Sequence, residues 1–476
     1  MAERQESRNQ QLMRGTVIYA IGNFGSKILS FLIAPLYTYY INPTEMGQYD
    51  ILNTTIGLLT PFLTLQIGDA TYKWIITNRQ KSKEYMSVAF QLLIATSFLS
   101  VIIITIVNHF VAIPYCSYFV VLLIIGRFAD QMQRVLRALG KQKLFAILGI
   151  LNTFVFLIVN VVQICLLNRG VEAILTSSII SNAVVIIIVS LCEPRVLPGK
   201  FLFKMNFPLQ KQMIKFSAPM IPNIMNWWVI NSSDRYIVNF FLGTAANGIL
   251  SLSYKFPTLL QLVNSMFYNS LQDLAIGDKH TAEKDTYYTK IFETYYLFIF
   301  GMLIPLIPAT RIVIEVLMEE SYHSSALYTS WIYIGVAFQG LSSFLGIGYM
   351  KSGNTKEASK SSIYAAIINA ISHILMIKFI GLHAAGISTM LGFAVMTFIR
   401  LRDAKLYLNI TVNKIKFCSV IIGNIVVSVV TLINNLILQC FLVLVGMVIF
   451  ILINRTLIVD VYKKAGGLYS NLRMRS

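Results

Sequence analysis

The sequence predicts an all-α integral membrane protein of about fourteen transmembrane helices. Three observations predict it: the composition, the spacing of the apolar runs, and the distribution of Lys and Arg. Of the 476 residues, 56% are hydrophobic and 13% charged. The mean hydropathy is +0.67. Soluble domains run nearer roughly 45–50% apolar and 25% charged. A chain this apolar cannot bury its side chains in a water-soluble core, so the bilayer is the solvent for much of it. Each crossing needs roughly 20 apolar residues.

Apolar runs of that length place spans at 15–40, 46–72, 85–108, 112–135, 144–167, 172–192 and 216–242. The series continues at 247–274, 291–310, 326–350, 361–380, 384–402, 416–434 and 437–454. The first run is too long for a signal-peptide core and lacks a small-residue cleavage site, so it is read as a retained span. The run at 291–310 is followed by an amphipathic tail. The last pair is also compatible with a re-entrant hairpin.

An even number of spans puts both termini on one side, and the basic residues choose the side. Of the 39 Lys and Arg, 32 fall in the termini and one alternate set of connections. The opposite connections hold Arg169, with Arg311 and Lys378 near that boundary. The positive-inside rule therefore places both termini in the cytoplasm, and it accounts for the net charge of +18 without nucleic acid.

Connections on the other side are short, as at Ile41–Glu45 and Gly381–His383. The longest connection is cytoplasmic, between Glu193 and Lys215. It mixes prolines with alternating basic and apolar residues and reads as an interfacial linker. The predicted organisation is a first lobe over 1–193, a linker over 194–215, a second lobe over 216–402, and a final helix pair with a tail over 403–476. Repeats of this kind are a common basis for transporters.

Charges inside spans cost about 2.5–3.5 kcal/mol each on an insertion scale, so they mark function by default. Four cations remain once loops and interfaces are set aside: Lys27, Arg127, Arg235 and Lys255. The acids within spans are Asp130 and Asp234. Asn23, Ser26/Lys27 and Ser30 share one face of the first helix, and Asp50, Asn53/Thr54 and Gly57 one face of the second. Asn223, Asn226 and Asp234 align on the seventh, beside Arg235. On the eighth, Gln261, Asn264/Ser265 and Tyr268 form a stripe, with Tyr254 and Lys255 above it. Two such sets facing one another would make a cationic vestibule. Polar stripes also serve as glue between membrane helices. Arg127 and Asp130, three residues apart, can satisfy each other. Asp234 can neutralise Arg235 or Lys255. Lys27 has no acid three or four residues away on its own helix, which makes it the leading candidate.

No metal-ligand, P-loop or nucleophile-elbow pattern occurs, so an ATP-driven pump or a hydrolase has no visible machinery, and no cofactor is expected. The five cysteines (Cys116, Cys165, Cys192, Cys418 and Cys440) are scattered and show neither metal spacing nor a disulfide framework.

The run Asn23 to Leu36, then Asn42-Pro43-Thr44-Glu45-Met46-Gly47-Gln48-Tyr49, resembles the start of Wzx-type O-antigen and polysaccharide flippases. So do Ser233-Asp234-Arg235-Tyr236-Ile237-Val238, then Gly248 and Tyr254-Lys255, and the stretch Pro308 to Tyr322. The family lies in the multidrug/oligosaccharidyl-lipid/polysaccharide exporter superfamily. The resemblance implies two six-helix lobes in a V around a central cavity, with two further C-terminal helices. It implies an undecaprenyl-pyrophosphate-linked oligosaccharide as substrate, carried across the bacterial cytoplasmic membrane for lipopolysaccharide or other polysaccharide biosynthesis. A polysaccharide polymerase and a chain-length regulator are its implied partners. In the related peptidoglycan-precursor flippase, cavity cations sit in Ser-Arg and Asp-Arg contexts, which Ser26-Lys27 and Tyr254-Lys255 match with Lys for Arg.

A pyrophosphate cannot cross hydrocarbon bare, and a cationic path with Tyr, Asn and Gln for sugar hydroxyls suits it. Whether Na⁺ or H⁺ couples transport is not legible. The alternatives are a multidrug cation antiporter of the same fold, which would favour an acidic path, and a non-transporting scaffold of an assembly complex. A polymerase or ligase would carry a large extracytoplasmic loop, and none is predicted.

Overall fold

The computed structural model describes residues 31–276, 282–352, 355–407 and 410–459. Sixteen α-helices and no strands occur among them. In the first half they are Ala34–Tyr40 (α1), Pro43–Thr64 (α2), Ile67–Thr77 (α3), Ser82–Phe110 (α4), Cys116–Ala138 (α5), Gln142–Cys165 (α6), Gly170–Cys192 (α7) and Phe207–Ser217 (α8). The rest are Ile221–Leu242 (α9), Thr244–Ile276 (α10), Ala282–Leu317 (α11), Ser325–Ser352 (α12), Thr355–Ile380 (α13), His383–Tyr407 (α14), Lys414–Val430 (α15) and Leu436–Ile453 (α16).

The second to fourteenth predicted spans each coincide with a helix or helix pair. Most of the first, including Asn23 and Lys27, lies outside the described residues. Among the described residues, eight helices are long and apolar enough to cross a membrane, nine if α2 and α3 are one bent span. The chain is a multi-pass membrane protein. Helices α5, α9 and α10 are long but less apolar, and α15 has 17 residues.

Two predicted spans need correction. The span at 46–72 is broken into α2 and α3, which meet at 53°. Leu65 and Gln66 both take left-handed backbone conformations there (φ 49° and 53°). Pro61, one turn earlier, removes a ladder donor. A break inside a membrane helix frees backbone groups that hydrocarbon cannot solvate, and the Ser217 hydroxyl at the end of α8 donates to Leu65 O at 2.6 Å. Ser217→Ala is expected to lower stability by about 1 kcal/mol, read as the SDS-unfolding free energy in mixed micelles. The second correction is the ninth span: α11 absorbs its amphipathic tail and runs 36 residues.

α2 begins at Pro43, inside the connection predicted at Ile41–Glu45, because Asn42 caps it. Its side chain accepts from Glu45 N at 2.9 Å, and Pro43 holds the first helical position. Close helix packing uses small residues. A Cβ on Gly446 of α16 would lie 2.8 Å from Pro305 N on α11, and one on Gly386 of α14 would lie 2.6 Å from Trp331 Cβ on α12. The first is a backbone contact that cannot yield, so Gly446→Leu is expected to separate α16 from α11 and abolish folded protein, assayed by detergent size-exclusion chromatography.

The chain divides into two compact units, Met1–Tyr236 and Ile237–Ser476. The division falls between Tyr236 and Ile237, inside α9. In the first unit a core of Ile67, Ala70, Met86, Ala89, Val135 and Leu136 joins α3, α4 and α5, with Val196 and Met213 of the linker buried against it. In the second, α12 is packed among α10, α11 and α14, and α13 and α16 lie on α14 and α11 respectively.

Candidate functional site

Within the first unit, α2 and α9 meet along a polar seam. Its register comes from Trp228 and Arg235, two turns apart on α9 and so on one face. The Arg235 guanidinium sits between two carboxylates, Nη1 to Asp234 Oδ1 at 2.8 Å and Nε to Asp50 Oδ2 at 3.3 Å. Asp234 is buried, while Asp50 and Arg235 are each 14% exposed at their side chains. Beside them the Tyr236 and Thr55 hydroxyls lie 2.6 Å apart, and Trp228 Nε1 donates to Thr54 O at 3.3 Å. Gly57 leaves room for the indole, which would touch an added Cβ at 3.6 Å. Arg235 is thus not a bare cation. The two acids hold it in place, and part of its charge is spent there.

Arg127 is placed differently from expectation. It is buried on α5, and Asp130 does not pair with it. Asp130 binds Arg134 at 2.7 Å instead, and Arg134 also binds Asp69 at 2.6 Å. The spacing explains the swap, since an i, i+4 pair reaches across one helical turn as readily as i, i+3. Arg127 donates to Leu123 O at 2.8 Å and faces the Ser97 and Ser100 hydroxyls of α4 at 3.3 and 3.2 Å. Its Nη1 is buried without a hydrogen-bond partner. No carboxylate lies within 4.0 Å of it among the described residues. Replacing such a group by an apolar one of similar length removes a desolvation cost. Arg127→Met is therefore expected to leave stability unchanged or raise it by about 1 kcal/mol, by SDS unfolding. Loss of transport by that stable variant would mark the charge as functional.

Asn53 is exposed on α2 and Asn226 half-buried on α9. In the second unit, Lys255 and Gln261 are half-buried on α10. Tyr254 Oη lies 3.5 Å from Thr389 Oγ1. Asn264 is committed to packing: its Nδ2 donates to Val336 O at 2.9 Å, and its Oδ1 accepts from Tyr295 at 3.0 Å. On the α10 stripe Asn264 thus serves as helix glue, while Tyr254, Lys255 and Gln261 stay half-buried.

A groove of about 590 Å³ opens between α10, α11 and the segment after α16. Val263, Phe267, Ile291, Phe298 and Leu457 give it an apolar wall, and Lys290 is the charged residue of its lining. Phe267 stacks on Tyr295 at 4.0 Å between centroids, which fixes that wall through the Tyr295–Asn264 bond. Sequence reasoning placed Lys290 in a loop and did not see the groove, because its walls are ordinary apolar helix faces.

Two buried cations were also missed. Arg311 on α11 binds Glu315 at 2.6 Å, Asn434 at 3.0 Å and Thr431 O. Arg400 on α14 bonds to Ser342 O, Ser361 and Ser362. Both stand near predicted span ends and were read as interfacial. The available signal was Arg400's place inside the predicted 384–402 span.

Comparison with solved structures finds the fold in an inward-closed structure of the Lipid II flippase MurJ, with a TM-score of 0.64 and 14% identity over 94% of this chain and 100% of that one. An inward-facing multidrug resistance MATE family transporter of the MOP superfamily gives 0.57 and 13%, over 81% and 94%. The Vibrio cholerae MATE transporter VcmN gives 0.54 and 15%, over 84% and 97%. These neighbours are flippases and transporters rather than enzymes. No curated protein matches by sequence. The family described as polysaccharide biosynthesis protein matches residues 12–271. That match spans more than half of the chain, and the protein belongs to this polysaccharide biosynthesis family.

Proposed function

We propose that this protein is a flippase for an undecaprenyl-pyrophosphate-linked oligosaccharide, an O-antigen or capsule repeat unit. It moves the repeat unit from the cytoplasmic to the outer leaflet of a bacterial cytoplasmic membrane, with both termini cytoplasmic. The observation that carries this reading is the groove of the second unit. It is apolar along its wall and has Lys290 in its lining, which suits a lipid whose headgroup begins with phosphate. A soluble cation would gain nothing from that charge. Family membership and the fold of a lipid flippase support the reading. Lys27, Arg235 and Lys255 remain candidates for phosphate contact, Arg127 for a charge along the route, and Tyr254, Asn53, Asn226 and Gln261 for sugar hydroxyls.

The test is deletion of the gene with surface-glycan profiling, complemented by wild type, Lys27→Ala and Lys290→Glu. Deletion is expected to remove the glycan. Lys290→Glu at normal protein level is expected to lower export about tenfold, equivalent to ~1.4 kcal/mol. Undiminished glycan in the deletion strain, with no redundant exporter, rejects the reading.

A second reading is a cation antiporter, favoured by the two carboxylates at Arg235 and by the MATE neighbours. It predicts that deletion sensitises cells to cationic drugs and leaves the glycan intact.

A further inference from the structure

The connection between α7 and α9 carries more apolar side chains than its packing uses. Val196 and Met213 are buried in the core of the first unit, and Leu197, Leu202, Leu209, Ile214 and Phe216 pack against it. That is the inner face, and it is complete. Three further large side chains point away from the protein: Phe203, Met205 and Phe207 are 87%, 66% and 64% exposed. Phe203 closes a short 3-10 turn, Met205 lies in the connection and Phe207 opens α8, so the three protrude from one turn-to-helix junction.

The segment is held in that posture. The Ser87 hydroxyl of α4 donates to Phe201 O. Gln91 Nε2 donates to Leu202 O at 2.7 Å and Lys204 O at 3.1 Å, and Gln210 closes the clamp on Gln91 Oε1 at 2.9 Å. Asn206 then caps α8 by accepting from Leu209 N at 3.1 Å. Ser87 and Gln91 stand in the first three turns of α4, a helix long and apolar enough to cross a membrane, so the segment lies near one end of that helix.

The charge here is of one sign. From Pro194 to Ser233 there are five cations (Arg195, Lys200, Lys204, Lys211 and Lys215) and no acid. Lys200, Lys204 and Lys211 are exposed, and among the described residues none of them has a carboxylate within 4.0 Å. Topology alone would explain basic residues on this side. It would not explain three protruding apolar side chains interleaved with them and backed by a hydrogen-bonded clamp.

We infer that Phe203, Met205 and Phe207, with Lys200, Lys204 and Lys211, form a docking site for anionic phospholipid headgroups of the adjoining leaflet. The apolar side chains enter the headgroup–acyl boundary, and the ammonium groups meet lipid phosphates. The site is separate from the groove in the second unit and does not depend on which substrate is carried. It makes the linker, and with it α9, responsive to the anionic fraction of the membrane.

The test uses the full chain in nanodiscs of phosphatidylcholine with increasing phosphatidylglycerol. An environment-sensitive fluorophore is attached at Met205→Cys after replacement of the native cysteines. Its emission is expected to shift to the blue as phosphatidylglycerol rises. The triple variant Lys200→Gln/Lys204→Gln/Lys211→Gln should weaken that response about a hundredfold, since each lysine near an anionic surface contributes about a factor of five. The corresponding triple Arg variant should retain it, and Phe203→Ser/Phe207→Ser should lose it. Emission characteristic of water at every lipid composition overturns the inference. So does a shift equal in pure phosphatidylcholine and unchanged by the Gln variant. The unlabelled chain supplies a second measurement: phosphatidylglycerol should raise its melting temperature, and the Gln variant should not show the rise. Equal melting of both proteins in both lipids also overturns it.

Discussion

Arg235→Ala is expected to destabilise the protein by about 3–5 kcal/mol, because it withdraws the cation shared by two carboxylates in a poorly solvated place. Asp234 is 1% exposed at its side chain, and Asp50 is 14% exposed. Two acids facing the same space repel one another once the guanidinium is gone, and one of them has no route to water. Asp50→Asn alone should cost about 1 kcal/mol, since Asp234 still holds Arg235. In the Arg235→Ala background, Asp50→Asn should recover at least half of the loss. The check is a double-mutant cycle of SDS-unfolding free energies. A sum of the two single effects, within about 0.5 kcal/mol, would mean that the carboxylates do not act through Arg235. Arg235→Lys should fall between, because one ammonium cannot reproduce two directed bonds.

The cycle also bears on function. A cation held by two acids attracts an anion less than a bare one, so Arg235 serves phosphate contact only if its carboxylates are otherwise engaged. If Asp50→Asn raises transport of an anionic substrate while stability barely falls, the guanidinium's charge is being shared between structure and substrate. If it lowers transport, the acids are themselves the functional groups, as a coupling cation would require.

Much of this seam was legible in the sequence. Asp234 and Arg235 were singled out because charge inside a membrane span is costly, and the helical period put Asp50 on the same face as Asn53/Thr54 and Gly57. The sequence could not say which partner each charge would choose. Asp130 was equally placed for Arg127 and Arg134, and only tertiary packing, which brings Asp69 to Arg134, decides between them. Hydropathy also reads worst where polar residues collect. Helices α5, α9 and α10 are less apolar than the other long helices, and α9 and α10 carry many of the candidate residues. The break at Leu65–Gln66 was hidden for a different reason. Neither residue is a glycine, and the carbonyl freed at Leu65 is satisfied by Ser217, more than 150 residues away.

Arg400→Ala is expected to cost about 3 kcal/mol, and the contrast with Arg127 explains why one buried cation is structural and the other is not. Arg127 has a guanidinium nitrogen with no partner, and most of its contacts reach one neighbouring helix. Arg400 is fully engaged across three helices. On α14 itself, its Nη1 donates to Ser342 O of α12 at 2.7 Å, its Nε to Ser361 Oγ of α13 at 3.0 Å, and its Nη2 to Ser362 Oγ and Ala358 O of α13 at 3.1 and 3.4 Å. The plane also lies over the Tyr349 ring at 5.8 Å, whose hydroxyl donates to Asp403 at 2.6 Å. Truncation removes bonds to a charged group and opens a cavity where α12, α13 and α14 meet, and both terms destabilise. Arg400→Lys should recover less than half, because a point charge on a flexible stem cannot reach two helices at once. Gly346 gives an independent check that leaves Arg400 unchanged. A Cβ there would stand 2.7 Å from Arg400 Nη1. A free arginine would swing aside, but one pinned at four acceptors cannot. Gly346→Ala should therefore cost about 1–3 kcal/mol, as overpacking does. In the Arg400→Ala background the same substitution should cost less than about 0.5 kcal/mol. Equal costs in both backgrounds would show that Arg400 is not held as the structure places it.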